Sequence, residues 1–276
     1  MNCRRWSSLA LATLTMYCMM RPAFAQLGEN AVTVPIEVQQ QIASHLPLTK
    51  PNRILQRYVV TEDLNNKTRG STSTSDVRAE LYLLDNGLTG FVRSSVARSG
   101  AVQGNGQGIT LCGLVSLIVE TGMNVASTVP IIAGKLFIPY GMKSDTQLNA
   151  RFRLVSFSSD ISTICAPSPN TEFLYKTETE YTSKVGAGIF GRESKGRLSH
   201  TGRCKVAVEP FPANKVSPSL VGEALAVSCT VERSSGNKIT NEYLFLRELS
   251  YYLPMEQFDG AFHTIQRYSE IHHTQP

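Results

Sequence analysis

The chain has 276 residues and a formal net charge of +5, a length that allows one large domain or two smaller ones. Three of its 27 basic residues, Arg4, Arg5 and Arg21, lie in a leader that we expect to be removed, and the whole chain has 22 acidic residues. The balance left is close to neutral, which does not favour a general nucleic-acid-binding protein with clustered positive charge.

Residues 1–25 have the three parts of a secretory signal peptide. Arg4 and Arg5 precede an uncharged, largely apolar run from Leu9 to Met20, and Ala23-Phe24-Ala25 has small residues at both cleavage positions. The run is shorter than the roughly 20 residues of a membrane-spanning helix. We therefore expect export to the periplasm or secretion, a mature chain that begins at Gln26, and no membrane span after cleavage.

Four of the six cysteines lie outside this leader: Cys112, Cys165, Cys204 and Cys229. An even number in an exported chain favours disulfides over metal ligation, and the Cys-x-x-Cys spacing of zinc and redox motifs is absent. Cys204 and Cys229 each lie on the apolar side of an alternating segment, so we predict that they pair. Cys112–Cys165 follows mainly by elimination.

The N-terminal part of the mature chain, residues 26–52, is predicted to be an arm with a short helix. Pro35 suits a first helical turn, and the apolar stripe comprises Ile36, Val38, Ile42 and Leu46. A strand from Ile54 to Thr61 and a polar loop from Asp63 to Asp76 follow. Asp85-Asn86-Gly87 then predicts a tight hairpin between strands at 77–84 and 88–96, because Asn-Gly readily adopts positive φ angles.

The middle of the chain combines a glycine-rich stretch with two apolar runs. Gly100 to Gly113 lacks the Lys-Ser/Thr ending of a phosphate-binding loop and is predicted to be a flexible loop. Residues 109–119 are predicted to form one central strand, although a buried helix has the same apolar composition. A second apolar run covers residues 130–140. We place the boundary between a first β-rich half, 53–164, and a second, 165–271, at Cys165.

The second half contains the disulfide-linked strands. Two arrangements stay open: the halves are separate domains, or they form one continuous domain. Residues 171–185 are predicted to form an exposed polar strand or strand pair, and residues 186–202 a loop. Residues 258–271 are predicted to form a short helix or strand, and residues 272–276 a mobile tail. Many short strand candidates and few helices predict a mainly β protein with an antiparallel sandwich- or barrel-like architecture and one or two short helices.

Residues 186–191 spell G-x-G-x-x-G, the letters of a dinucleotide-binding fingerprint. No apolar helical stripe follows them, so we predict a glycine-bearing loop or bulge and no cofactor. The patterns of serine hydrolases and zinc proteases are absent, His200 lies alone in a polar segment, and His272-His273 need not converge on one ion. We therefore predict no catalytic, cofactor-binding or metal-ligating residues.

Two residue groups remain candidates for function. Glu178 and Glu180 would lie on the same face of a strand. A glycosidase needs two carboxylates at a suitable distance in space, so this pair is one candidate, and a solvated strand face is the alternative. An aromatic concentration is a candidate binding patch for sugars or a protein, with core packing as the alternative. It comprises Tyr243, Phe245, Tyr251 and Tyr252.

The first hypothesis is an exported, β-rich binding or interaction protein of a bacterial envelope, without catalytic activity, whose partner is an envelope protein or glycan and not nucleic acid. One alternative is an exported hydrolase acting on glycan or peptide, with a site assembled from distant residues. A second alternative is a periplasmic inhibitor or immunity-type protein. A concave site with convergent acidic or histidine side chains would favour the hydrolase.

Overall fold

A computed structural model describes Gln40, Ile42 and residues 51–274, apart from 69, 85–86, 101, 134–135 and 188–189; for 126–145 and 187–190 it describes the backbone alone. The strands are β1 (Ile54–Asn66), β2 (Ser71–Leu83), β3 (Thr89–Ala97), β4 (Val102–Leu111), β5 (Val115–Ala133), β6 (Leu136–Ser158), β7 (Glu172–Ala187), β8 (Phe190–Val206), β9 (Phe211–Pro212), β10 (Glu223–Arg233), β11 (Lys238–Leu246), β12 (Tyr251–Phe258) and β13 (Phe262–Thr274). The described part also contains the α-helix α1 (Ile161–Cys165) and two 3-10 turns, Ala213–Lys215 and Arg247–Leu249.

Twelve strands close into an antiparallel barrel, and β9 pairs outside it with the start of β10. The strands follow chain order from β1 to β8, then β10 to β13, and β1 pairs with β13. Closure leaves the barrel without a free sheet edge. The predicted mainly β, antiparallel sandwich- or barrel-like architecture is confirmed, and of the two alternatives the structure is a barrel. Strands from both predicted halves belong to this one sheet.

Because consecutive strands run in opposite directions, their connections alternate between the two ends of the barrel. We call the base the end that carries the β2–β3, β4–β5, β6–β7, β8–β10 and β11–β12 connections. We call the hairpin end the opposite end, which carries the β1–β2, β3–β4, β5–β6, β7–β8, β10–β11 and β12–β13 connections.

The base is closed by packed connections. Cys112, in the β4–β5 turn, is paired with Cys165 at the end of α1, with their Cα atoms 5.5 Å apart. The Tyr252 backbone N–H donates to the Cys112 carbonyl at 2.8 Å, and the Tyr252 hydroxyl donates to the Ile164 carbonyl at 2.7 Å. Tyr252 and Ile164 are fully buried. A turn, a helix and a strand from distant parts of the chain therefore form one packed unit.

The glycine-rich stretch is a strand, so the predicted flexible loop from Gly100 to Gly113 is wrong. Gly108 lies in β4 between Phe91 on β3 and Val119 on β5. A Cβ atom at this position would collide with the Ile118 carbonyl oxygen and crowd the Phe91 ring. Glycine is used here because neighbouring groups approach the backbone closely.

Other boundaries also differ from expectation. The predicted loops at 63–76 and 186–202 lie mostly in β1, β2, β7 and β8, because backbone pairing with neighbouring strands holds these polar segments in the sheet. The predicted central strand at 109–119 is interrupted by a turn, where Gly113 has a φ of 79°. The predicted tail is also wrong for His272 and His273, which belong to β13 and pair with Arg57 and Leu55 of β1.

The predicted β2–β3 hairpin is confirmed: Leu83 pairs with Thr89, and Gly87 has a φ of 82°. In the predicted N-terminal helix, Gln40 and Ile42 are helical and Ile42 is buried, while its other residues lie outside the described ones. The predicted signal peptide lies outside them as well.

Candidate binding pocket and projecting hairpin

A polar pocket of about 140 Å³ lies in the wall formed by β11, β12 and β13. β12 pairs with β13 only at Glu256, Gln257 and Phe258. Next to these pairs, a register shift leaves Met255 as an extra residue between β12 and β11. Such a bulge redirects side chains and interrupts pairing. The pocket is lined by Asn241, Tyr243, Pro254, Glu256, Gln257, Thr264 and Gln266.

Gln266 is held in place by a network behind the pocket. Its Nε2 donates to Glu62 Oε1 at 2.7 Å. The Tyr268 hydroxyl lies 3.2 Å from Gln266 Oε1 and 2.8 Å from the Pro254 carbonyl oxygen, and it donates to both acceptors with a single proton. Because the Gln266 amide has another N–H and another lone pair, it can still both donate to and accept from a ligand.

Electrostatics behind the pocket centre on Glu62. Burial raises the pKa of this carboxyl, and the opposing influences of the Arg93 charge and the Gln266 hydrogen bond are smaller. Burial also raises the pKa of Tyr268 far above its ordinary value. Tyr268 therefore remains protonated at neutral pH and can act as a hydrogen-bond donor.

The pocket lining offers hydrogen bonds but little charge. Asn241, Gln257 and Gln266 carry neutral carboxamides, and Thr264 carries a hydroxyl. Glu256 also lines the pocket, and its carboxylate lies 3.5 Å from His263 Nε2. A lining of this kind suits a neutral ligand with several donors and acceptors. The pocket volume of about 140 Å³ is close to that of a cavity that holds one benzene-sized ring.

Three of the four predicted aromatic residues have rings in contact, and three of the four are buried. Phe245, Tyr251 and Tyr252 are buried, while Tyr243 is half-buried and lines the pocket. The Tyr252 ring lies 4.8 Å from Phe245 and 6.0 Å from Tyr243, measured between ring centres. Only Tyr243 of this group is therefore placed to contact a ligand, and the other three pack in the interior as the alternative interpretation expected.

The carboxylates considered for glycoside hydrolysis form part of an ion-pair ladder. Glu180 contacts both Arg153 and Arg197 at 2.7 Å, and Glu178 lies 3.4 Å from Arg197. The hydrogen bonds from the two arginines lower the pKa of Glu180. A carboxylate held in its ionised form is poorly suited to act as a general acid. The geometry therefore corresponds to the solvated face.

The histidines have separate surroundings. His200 is half-buried opposite Arg233 on β10, and burial followed by the Arg233 charge lowers its pKa. His272 Nε2 contacts Arg57 at 3.1 Å, whereas His273 Nε2 contacts the Ser219 carbonyl oxygen at 2.8 Å. Among the residues that the structure describes, no group of three or more potential ligands is arranged to hold a metal ion.

Both predicted cysteine pairs lie at disulfide distance. Cys204 and Cys229 are directly opposite each other on β8 and β10, with their Cα atoms 4.0 Å apart and both side chains fully buried. The prediction that these residues share the apolar face of paired strands is confirmed. The residues with G-x-G-x-x-G letters close the β7–β8 hairpin, where Gly186 pairs with Gly191.

A second candidate region projects beyond the barrel. β4 last pairs with β5 at Val125, and β7 last pairs with β6 at Gln147. Beyond these positions β5 and β6 pair only with each other, as far as Ala133 and Leu136. We call residues 126–146 the projecting hairpin. Eight residues of β5 at about 3.3 Å per residue extend it by roughly 26 Å.

Sequence reasoning missed both regions. Asn241 lies two residues before Tyr243 and two after the buried Ile239, so the three residues share one face of β11. A polar residue on this otherwise apolar face was a usable signal for the pocket, which Asn241 lines. For the projecting hairpin, the signal was an apolar run interrupted by Gly134-Lys135.

No protein-family model, curated protein or solved structure matches this chain. Within the described part of the chain, no helix is both long and apolar enough to cross a membrane.

Proposed function

We propose that this chain is an exported, non-catalytic binding protein of a bacterial envelope that holds a small neutral polar ligand in the β11–β13 pocket. A sugar unit of an envelope glycan has the required chemistry, because its ring carries several hydroxyl groups and an apolar face. The observation that carries the proposal is the pocket itself, with convergent carboxamides, a hydroxyl and an aromatic ring.

The preference for a neutral ligand rests on the lining side chains. Lys and Arg, which bind phosphate, sulfate and carboxylate groups, do not belong to the lining. Asn241, Gln257 and Gln266 can each donate and accept, which matches hydroxyl groups that do the same. Tyr243 supplies the aromatic surface, and burial raises the pKa of its phenol, so that this phenol remains neutral.

Two predicted features give this proposal its cellular setting. The leader at residues 1–25 indicates export, and both cysteine pairs lie at disulfide distance, which suits an oxidising compartment. N-terminal sequencing of protein recovered from the producing cell tests the setting, and a mature chain beginning at Gln26 is expected. An uncleaved chain in the cytoplasm would contradict it.

Ligand-observed NMR with a panel of neutral mono- and oligosaccharides tests the binding site. We expect saturation transfer to at least one sugar and a loss of affinity of about tenfold or more for Gln257→Ala, since each neutral hydrogen bond contributes about 1 kcal/mol and neighbouring contacts are lost with it. Gln103→Ala is the matched control, because Gln103 is exposed on β4. Equal losses in both variants, or binding to none of the sugars, would contradict the site.

A hydrolase is the second candidate, and Glu62 is the observation that favours it. A carboxyl group with a raised pKa that is hydrogen-bonded to a side chain of the pocket lining is a candidate general acid. If any sugar of the panel is cleaved, Glu62→Gln should abolish cleavage while binding persists. Binding without turnover in the unaltered protein supports the non-catalytic proposal.

A further inference from the structure

The composition of the projecting hairpin differs from that of the barrel strands. Residues 129–142 contain one charged residue, Lys135, and no Asp or Glu. In a strand with one solvated face, apolar and polar residues alternate, whereas Ile131-Ile132-Ala133 and Leu136-Phe137-Ile138 are uninterrupted apolar runs. A two-stranded ribbon of this composition has no apolar core of its own and gains stability from an apolar environment.

Exposed apolar side chains concentrate at the same end of the barrel. In the described part of the chain, nine large apolar side chains are exposed, and six of them lie on the strand segments next to the hairpin end. These six are Leu64, Val96, Met123, Val185, Phe258 and Phe262. Together with the projecting hairpin they make this end a candidate interaction surface.

The charges on the connections have opposite signs at the two ends. At the hairpin end the sequences of the connections contain Lys67, Arg69, Arg98 and Lys135 against one acidic residue, Asp259. At the base they contain Lys215 and Arg247 against Asp85, Asp160, Glu209 and Glu248. The Lys67 ammonium lies 4.3 Å from the centre of the Phe258 ring, so positive charge and exposed apolar surface adjoin each other.

We propose that the hairpin end docks on an anionic lipid surface, with the apolar part of the projecting hairpin seated in the interfacial layer. Apolar burial and attraction of Lys and Arg to anionic headgroups act together in this mode of binding. The apolar part of β5, residues 129–133, extends only about 17 Å. This length is too short to cross a hydrocarbon core of about 30 Å. The hairpin therefore docks on the surface and does not span it.

Lipid is favoured over pairing with a strand of another chain. Beyond the barrel, the outer edges of β5 and β6 pair with no other strand among the described residues, and Pro130 lies on β5 and Pro139 on β6. Proline has no N–H to donate, and it interrupts edge-to-edge pairing. An interfacial layer can contact both apolar faces of the ribbon while water and headgroups satisfy its edges, whereas a protein groove covers one face. The proposal does not require a ligand in the pocket.

Vesicle co-sedimentation tests the docking. The protein is used in the form released after export, because the apolar run of the leader would itself bind lipid. We expect binding to vesicles of phosphatidylethanolamine with phosphatidylglycerol, weaker binding to vesicles of phosphatidylcholine alone, and a decrease as salt concentration rises. Equal binding to both vesicle types, or none to either, would overturn the proposal.

A matched pair of double variants separates apolar contact from charge. Ile131 pairs with Ile138 in the apolar part of the hairpin, and Ser127 pairs with Ser144 in its polar part. Ile131→Asp with Ile138→Asp changes the net charge as much as Ser127→Asp with Ser144→Asp. We expect at least tenfold weaker vesicle binding for the isoleucine variant than for the serine variant. Equal losses would show that charge alone holds the protein to the vesicle.

A tryptophan reporter locates the contact. Trp6 is the one tryptophan of the sequence and lies in the leader, so Phe137→Trp gives the processed protein a single reporter. We expect its emission to move to shorter wavelength when anionic vesicles are added. In a sample without lipid, we expect the protein to have the molecular mass of a monomer. A shift that instead accompanies self-association without lipid would overturn the proposal in favour of contact between copies of the chain.

Discussion

The base and the hairpin end of this barrel are built from different interactions. At the base, the Cys112–Cys165 pair, the buried Tyr252 hydroxyl and apolar side chains join two connections and strand β12 into one unit. Towards the hairpin end, the β12–β13 wall holds a polar pocket, and β5 and β6 project beyond their neighbours. We therefore expect the stabilising contacts to be concentrated at the base.

The strongest test of this comparison removes Tyr252 from the base. We expect Tyr252→Ala to lower the free energy of unfolding by about 3–5 kcal/mol, because it leaves a cavity and an unpaired Ile164 carbonyl. Tyr252→Phe keeps the ring and should lose about 1–2 kcal/mol. Equilibrium denaturation in urea measures both, and losses below about 1 kcal/mol for the alanine variant would contradict a base held by this residue.

Removal of the Cys112–Cys165 pair should have the next largest effect. The two residues are 53 apart in sequence, and a cross-link closing such a loop contributes about 4 kcal/mol in the chain-entropy description. Cys204 and Cys229 are 25 apart and are also held by the pairing of β8 with β10. We expect Cys112→Ala with Cys165→Ala to destabilise the protein by about 2–4 kcal/mol.

The matched variant, Cys204→Ala with Cys229→Ala, should lose less than the base variant, and thermal unfolding with and without reductant compares them. A larger loss for the β8–β10 pair would reverse the ranking. Peptide mapping without reduction gives an independent check. A Cys165–Cys204 peptide would contradict both cysteine pairs.

At the base, the sequence could predict features that depend on neighbouring residues in the chain, such as strand faces and turns. The alternation around Cys204 and Cys229 shows which side of each strand is apolar, and Asn86-Gly87 indicates a turn within a few residues. Strands β4 and β8 escaped prediction because their glycines resemble a loop until the partner strand is known. Gly202, for example, lies opposite Tyr175 on β7, whose ring occupies the space of the missing side chain.

The pocket depends on contacts that sequence patterns do not contain. Gln266 is positioned by Glu62, 204 residues earlier, and these residues meet only because β1 and β13 close the barrel. The Met255 bulge follows from the register between β11 and β12. Neither closure nor register can be derived from local propensity, so the lining residues could be noticed singly but not assembled.

A third prediction concerns Asp160, an exposed residue at the start of α1. Asp160 caps this helix by accepting from the Ser162 backbone N–H at 3.0 Å and from the Thr163 hydroxyl at 2.7 Å. We expect Asp160→Ala to lower the free energy of unfolding by about 1 kcal/mol. Asp160→Asn is the control, since it can cap without titrating.

The pH dependence of this effect has a definite sign. Hydrogen bonds from Ser162 and Thr163 lower the pKa of Asp160 from 3.8 to about 2. The ionised carboxylate therefore stabilises the fold above pH 3.8, and this contribution is lost as the pH falls towards 2. Urea denaturation of parent and Asp160→Asn across this window should converge at the acid end. A difference independent of pH would contradict the cap.

The smallest predicted effect tests whether polar groups near the pocket cost stability. Burial raises the pKa of Glu62 above its ordinary value of 4.5, so ionisation is less favourable in the folded than in the unfolded chain. The fold has no such penalty below pH 4.5 and acquires it as the pH rises through the raised pKa. We expect Glu62→Gln to stabilise the protein at pH 7 by less than about 1 kcal/mol, and the gain to disappear at pH 4.

Glu180 provides the control with the opposite sign. Arg153 and Arg197 lower its pKa, so its ionised form stabilises the fold above pH 4.5, and this contribution is lost as the pH falls. Glu180→Gln should therefore be less stable than the parent at pH 7 and approach it in acid. If Glu62→Gln behaved in the same way, the Arg93 charge and the Gln266 hydrogen bond would outweigh burial, and the buried polar network behind the pocket would be a source of stability instead of a cost.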